Sequence, residues 1–172
     1  MVNLKKLLQD NQFRILGEIT RELELIPTSG NENSTKSSVY TWVAEKGSMV
    51  YAIYLGKAGR GALKRFKEHV QGFQGPSNNG SISGEKKKEI LLFLIELGYT
   101  IKVYERISAV ITDEMLQTLG LKVNVPNEIS MNASEEEILI NAFGDFGFND
   151  YLILNNRVDI DYTKSIIKAE SS

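Results

Sequence analysis

Tyr40 and Tyr54 each sit in a short run of aromatic and β-branched residues, and Lys57 follows the second tyrosine by three positions. Further on, Arg65 and His69 stand at i and i+4 of an amphipathic stretch, so in a helix they share a face. His69 is the chain's single histidine. Between Lys57 and Lys67 lie Lys57, Arg60, Lys64, Arg65 and Lys67 with no acid, and Lys86, Lys87 and Lys88 form a second basic run. Such a stripe could hold phosphates even on a protein whose net charge is −2. A tyrosine, with a free pKa of about 10, acts as a base near neutrality only where cations stabilise its phenolate, and Lys57, Arg65 and His69 are candidates for that field. The acids gather elsewhere, at Glu22 and Glu24 and at Glu135, Glu136 and Glu137. Each feature also has an ordinary explanation. Hairpin tyrosines usually pack, a basic helix face is usually just solvated, and glutamates at a helix start complement its macrodipole. Lys86 to Lys88 read equally as phosphate contacts or as solubilising charge.

These residues need a frame. Leu4, Leu7, Leu8, Phe13, Leu16, Leu23 and Leu25 recur at roughly helical spacing, which predicts one amphipathic helix or two broken ones over residues 2–25, ended by Pro27. Thr28 to Ser38 is polar and turn-forming, a linker or surface loop. Val39 to Val43 and Met49 to Leu55 read as the two strands of a hairpin joined by Glu45-Lys46-Gly47-Ser48. Gly56, Gly59 and Gly61 loosen the chain before a helix from Ala62 to Phe73, whose apolar stripe is Leu63, Phe66, Val70 and Phe73. A second helix is expected from about Glu85 to Leu97, closed by Gly98, and a third strand from Tyr99 to Ile107. Thr112 to Leu119 suggests a short helix, and Val123 to Met131 is irregular around Pro126. Ser134-Glu135-Glu136-Glu137 has the form of a capping box opening a helix that runs to Gly144, and Tyr151 to Leu154 and Val158 to Tyr162 read as strands or an extended tail. The order implies an α/β (α+β) domain with a central three-stranded antiparallel sheet flanked by helices. The division expected is a helical extension and linker over residues 1–37 and the compact domain over residues 38–172.

Composition narrows the chemistry. With no cysteine there is no disulfide, no thiolate zinc site and no thiol nucleophile, and a reducing cytoplasm suits such a chain. The longest apolar run, Ile90 to Ile95, is far short of a membrane span, and the first residues lack the apolar core of a signal peptide, so a soluble, uncleaved protein is expected. A pI of about 5.6 argues against a surface coated for non-specific nucleic-acid binding. Gly56, Gly59 and Gly61 weakly imitate a phosphate loop, but the Lys-Ser/Thr that such a loop needs is missing.

Tyr54-Leu55-Gly56-Lys57, followed by a helix carrying Arg65 and then His69 four residues on, resembles the core of the GIY-YIG nuclease family, with Ser38-Val39-Tyr40 in the place of the first tripeptide. The resemblance covers roughly residues 38–145, through a second helix, a third strand and a helix bearing one glutamate. Ser38 and Val39 depart from the Gly and Ile of the first tripeptide, the hairpin is longer than in the shortest members, and an insertion separates Ile107 from the glutamate helix. What the resemblance implies is an endonuclease, of restriction or phage type, that hydrolyses phosphodiesters of double-stranded DNA. Tyr40 would orient or deprotonate the attacking water, with His69 or Lys57 assisting. Arg65 would grip the scissile phosphate, Tyr54 would support phosphate or water, and one carboxylate would hold a single Mg²⁺ or Mn²⁺. On a helical wheel Ile138, Leu139, Ile140, Ala142 and Phe143 define an apolar face with Glu135 nearest its centre and Glu136 at its edge, so Glu135 is the first choice for that carboxylate and Glu136 the second. The N-terminal helix would then serve dimerisation or DNA contact. Two other classes stay open, a catalytically weak nucleic-acid-binding module on the same scaffold and a structural adaptor acting through residues 2–25.

Overall fold

The computed structural model describes residues 3–30, 35–122, 129–155 and 158–172; most of the irregular stretch around Pro126 lies outside them. Side chains of the first hairpin strand, β3 (Ser38–Lys46), alternate between two faces that are both covered, so its first seven residues are all buried. Gly47, at φ 61, supplies the left-handed residue that a two-residue connection needs, and β4 (Met49–Ala58) returns antiparallel with Tyr54 opposite Trp42 and Gly56 opposite Tyr40. On its other side β3 pairs with β5 (Thr100–Ile107), which sets Glu105 opposite Tyr40.

The sheet has five strands rather than three. Residues expected to be helical supply β1 (Arg14–Ile19) and β2 (Leu25–Pro27), giving the antiparallel order β2-β1-β5-β3-β4. Only α1 (Leu4–Asp10) of that segment is helical. A bulge between Ile15 and Gly17 breaks the alternation, with Arg14 and Ile15 both exposed and Leu16 and Gly17 both buried, so the period of two is lost and the leucine spacing imitates a helix. Gly17 is there for close approach: a Cβ would stand 2.3 Å from the Ile26 carbonyl oxygen. Residues 14–27 are thus part of the sheet and not of a separate helical extension.

Helices cover both faces. On the Tyr40 and Trp42 face lie α2 (Ala62–Gly72), α3 (Ile82–Glu96) and α6 (Ile160–Glu170), around Phe66, Ile90, Leu91, Leu94 and Ile167. On the Val39 and Val43 face, α1 and α5 (Asn132–Gly144) enclose Leu4, Leu8, Leu55, Leu139 and Phe143. α4 (Asp113–Thr118) sits where a short helix was expected. Two other expectations fail. α5 starts at Asn132 behind Met131 with no side-chain cap, so Ser134 caps nothing. Instead of a final strand there is α6, opened by the Asp159 carboxylate accepting from the Tyr162 N–H at 2.9 Å. Among the described residues no helix is long and apolar enough to cross a membrane.

Candidate active site

β4 is an edge strand, and among the described residues its outer edge is occupied only part of the way. The Ala52 N–H bonds the Phe146 carbonyl at 2.9 Å and the Leu154 N–H bonds the Ile53 carbonyl at 2.9 Å. The Asn155 amide then pairs with both backbone groups of Leu55, accepting at 2.7 Å and donating at 2.6 Å. Tyr54 lies within this covered stretch, and Gly56 and Lys57 lie just beyond it.

Tyr40 and Tyr54 point to the same face, ring centroids 5.9 Å apart. Both hydroxyls converge over Gly56, where a Cβ would stand 2.9 Å from the Tyr54 oxygen and 3.0 Å from the Tyr40 oxygen. Glycine here is what gives the two phenol tips their room. From α2, the His69 ring comes down on Trp42, with centroids 5.0 Å apart, and its Nε2 lies 2.7 Å from the Tyr40 hydroxyl. Arg65, one turn earlier, is ion-paired with Glu68 and stands close enough to Tyr40 to act on its acidity.

The electrostatics differ from the phenolate expected above. Burial, reinforced by Tyr54, holds the Tyr40 pKa well above 10, and Arg65 offsets only part of that. Burial also raises Tyr54. His69 is pulled down to about 3 by burial and then by the charges of Lys87 and Arg65. It is therefore a neutral imidazole at any ordinary pH, and with the ring proton on Nδ1 its Nε2 accepts from the Tyr40 O–H.

Lys57 and the glutamates approach from the other face. Lys57 alternates with Gly56 and Ala58, points toward α5, and pairs with Glu136 at 2.9 Å. Glu135 does something else: its Oε1 accepts from Arg106 at 2.6 Å and from the Ala109 N–H at 3.2 Å, fastening α5 to the end of β5. Burial raises its pKa, but Ser108, Ala109 and Arg106 outweigh that and hold it low. The wheel placed Glu135 nearest the centre because it counted Ile138 as inward, and Ile138 is 67% exposed. Without Ile138 the buried stripe runs through Leu139 and Phe143, leaving Glu135 and Glu136 on its two flanks, one toward β5 and one toward β4.

The two faces meet around the end of β4. A cavity of about 390 Å³ is lined by Lys57, Arg60, Lys64, Arg65 and Glu68, and a second of about 220 Å³ by Tyr54, Arg65, Glu68, His69 and Lys87, so Arg65 and Glu68 stand between them. The structure thus brings Tyr40, Tyr54, Arg65 and His69 together, sets Lys57 with Glu136 beside them, and holds Glu135 apart. Among the described residues no group of three or more His, Asp or Glu side chains could hold a metal ion. A hard cation bound through one carboxylate, with phosphate oxygens and water completing its shell, needs only one such group, and Glu136, balanced by a single lysine at the rim of the cavity, fits that donor set.

Two residues were not legible as site residues. Glu105 is fully buried beneath α2: its Oε1 accepts from the Ala62 N–H at 3.1 Å, capping a helix whose own N-cap, Gly61, has no side chain to offer. Its Oε2 lies 3.4 Å from Arg14 of β1. A single glutamate in a strand gives no sequence signal for this, since the contact spans distant parts of the chain. Lys87 is the other, and the basic run Lys86 to Lys88 did flag it without singling it out.

No family model matches the chain, and no curated protein matches it. One solved structure is similar, restriction endonuclease HPY188I in complex with product DNA, at 14% identity and a TM-score of 0.47, over 94% of this chain and 86% of that one.

Proposed function

We propose that the chain is a divalent-metal-dependent endonuclease that hydrolyses phosphodiester bonds of double-stranded DNA, with a GIY-YIG type of reaction centre. The observation that carries this reading is the 2.7 Å contact between the Tyr40 hydroxyl and a neutral His69, placed behind Arg65 at the junction of two basic cavities. In the free protein Tyr40 is 1% exposed. A phosphate that draws Arg65 away from Glu68 uncovers the phenol oxygen and gives water a path to it. As the water oxygen attacks phosphorus, its proton passes to the Tyr40 oxygen while the Tyr40 proton moves to His69 Nε2. The same phosphate neutralises Arg65, one of the charges that hold the imidazole pKa down, so binding substrate makes His69 a better base. Arg65 and Tyr54 hold the phosphoryl oxygens on which charge builds. Glu136 would hold Mg²⁺ or Mn²⁺, which supplies charge neutralisation at the phosphate and the leaving oxygen. Lys57, paired with Glu136 in the free protein, would be free to face a phosphate once that carboxylate held the cation.

Incubation of the protein with plasmid DNA and Mg²⁺, Mn²⁺ or EDTA tests this directly. Metal-dependent nicking or linearisation is expected, with Glu136→Ala inactive but still binding DNA. Glu135→Ala, by contrast, should lose thermal stability, because it leaves Arg106 and the Ala109 N–H without their acceptor. Salt-sensitive binding without cleavage in either metal would reduce the chain to a nucleic-acid-binding module.

A further inference from the structure

Gly84 of α3 lies against Gly72 of α2 so tightly that a Cβ on it would stand 2.3 Å from the Gly72 carbonyl oxygen. Both helices keep glycine at the crossing, so their backbones approach without side chains between them. One turn along each helix from that crossing, His69 and Lys87 face the same 220 Å³ cavity. The three lysines of the run are thereby separated. Lys86 turns away and donates to the Val158 carbonyl at 3.0 Å. Lys87 lies over the Tyr54 ring, its Nζ 4.3 Å from the centroid. Among the described residues the only carboxylate lining its cavity, Glu68, is engaged by Arg65.

We propose that Lys87 is a further phosphate contact of this site, holding the DNA backbone phosphate next to the one that Arg65 grips; this rests on the nuclease reading above. A half-buried ammonium set beside a guanidinium and without a carboxylate is a poor arrangement for the free protein, and burial followed by Arg65 lowers its pKa to about 8. The arrangement becomes favourable when an anion enters the cavity. Two cations on neighbouring helices, with Tyr54 between their approaches, suit a backbone that presents one charge per nucleotide. Lysine suits the role because a point charge on a flexible stem follows a phosphate without demanding bidentate geometry. The other reading is that the stem merely covers the Tyr54 ring, and that role needs no charge-dependent contact with DNA.

The test is equilibrium binding of a fluorescent 20-base-pair duplex in EDTA across 50–300 mM KCl, for wild type, Lys87→Met and Lys87→Arg. Lys87→Met keeps the stem over Tyr54 and removes the charge. Its slope of log K against log salt should be shallower by about 0.9, the release of one counterion, while Lys87→Arg keeps the wild-type slope. The Tm of Lys87→Met should be unchanged or raised, since an unfavourably placed charge is removed. Wild-type binding with the same slope in Lys87→Met overturns the inference and leaves the nuclease reading standing. If Lys87→Met does not fold, a shallower slope in Lys87→Arg than in wild type overturns it. A wild-type protein that neither binds nor cuts duplex DNA overturns both.

Discussion

Replacing Tyr40 by Phe removes one oxygen and leaves the ring among Trp42, Tyr54 and Phe66. The structural cost is the hydrogen bond to His69 at 2.7 Å, worth about 1 kcal/mol with its acceptor left inside the site. For a chain of this length that is a fall in Tm of roughly 2–4 °C. The catalytic cost is far larger, about 10²–10⁴-fold in the single-turnover rate, since the proton route from water to His69 is cut. The pH dependence then separates two mechanisms. In the free protein burial holds Tyr40 well above 10 and His69 at about 3, and burial, the largest cause, still holds the imidazole low when phosphate takes up Arg65, so neither changes protonation between pH 6.5 and 9. The ratio of wild-type to Tyr40→Phe rates should be flat across that window, whatever a bound cation or its water adds to both. A preformed phenolate of depressed pKa would instead make the ratio climb about tenfold per unit below that pKa, up to about 300-fold over the window. Single-turnover cleavage of one duplex at six pH values in saturating Mg²⁺ decides between them. A climbing ratio refutes the His69 route, and a variant that cuts at the wild-type rate removes Tyr40 from the reaction altogether.

Arg65→Ala should lower the cleavage rate by about 10²-fold or more, with little change in Tm because its pairing with Glu68 is largely exposed; turnover and thermal melts together check this. Gly84→Ala pushes a Cβ into the Gly72 carbonyl, so the α2 and α3 helices must part, with an expected loss of about 1–3 kcal/mol in urea unfolding and a weaker duplex affinity. Glu105→Leu strands the buried Ala62 N–H and should cost roughly 1–3 kcal/mol plus part of the rate, whereas Glu105→Gln, which still offers a carbonyl oxygen, should recover most of the rate; unchanged turnover in Glu105→Leu would leave that residue a purely structural one.

α2, α3 and β5 were legible because each buries one face of a regular repeat, and the hairpin because two runs of aromatic and β-branched residues flank a turn at Gly47. β1 escaped for a local reason, the bulge at Ile15 and Gly17, which turns an alternating strand into something that scans like a helix. α6 escaped because Tyr151 to Tyr162 is rich in β-formers, and only Asp159 as a cap with Thr163, Ile166 and Ile167 at helical spacing announces the helix. In the site, the hairpin relates Tyr40 to Tyr54 and an i, i+4 helix face relates Arg65 to His69, and the resemblance to the GIY-YIG pattern is what joined the two pairs. The choice between Glu135 and Glu136 could not be made from the wheel, for it hangs on whether Ile138 faces in, and tertiary packing decides that. Glu105 and Lys87 depend on contacts between residues far apart in sequence, which no repeat encodes.

The sheet order explains why the site can draw on both faces at all. Tyr54 and Gly56 alternate with Leu55 and Lys57 along β4, and Tyr40 lies opposite Gly56 on β3, so in the middle of a sheet the tyrosines and the Lys57–Glu136 pair would be separated by the sheet itself. They can serve one phosphate only at an edge, just where β4 ends and the glycine-rich turn at Gly59 to Gly61 carries the chain over into α2. Adding β1 and β2 beyond β5 enlarges the sheet at its opposite side and leaves that edge open. The N-terminal strand still reaches the site, through Arg14 on Glu105 and Glu105 on the first amide of α2. Arg65 and His69 ride on that helix, so their distance from Tyr40 is set in part by a residue that lies two strands away from β4.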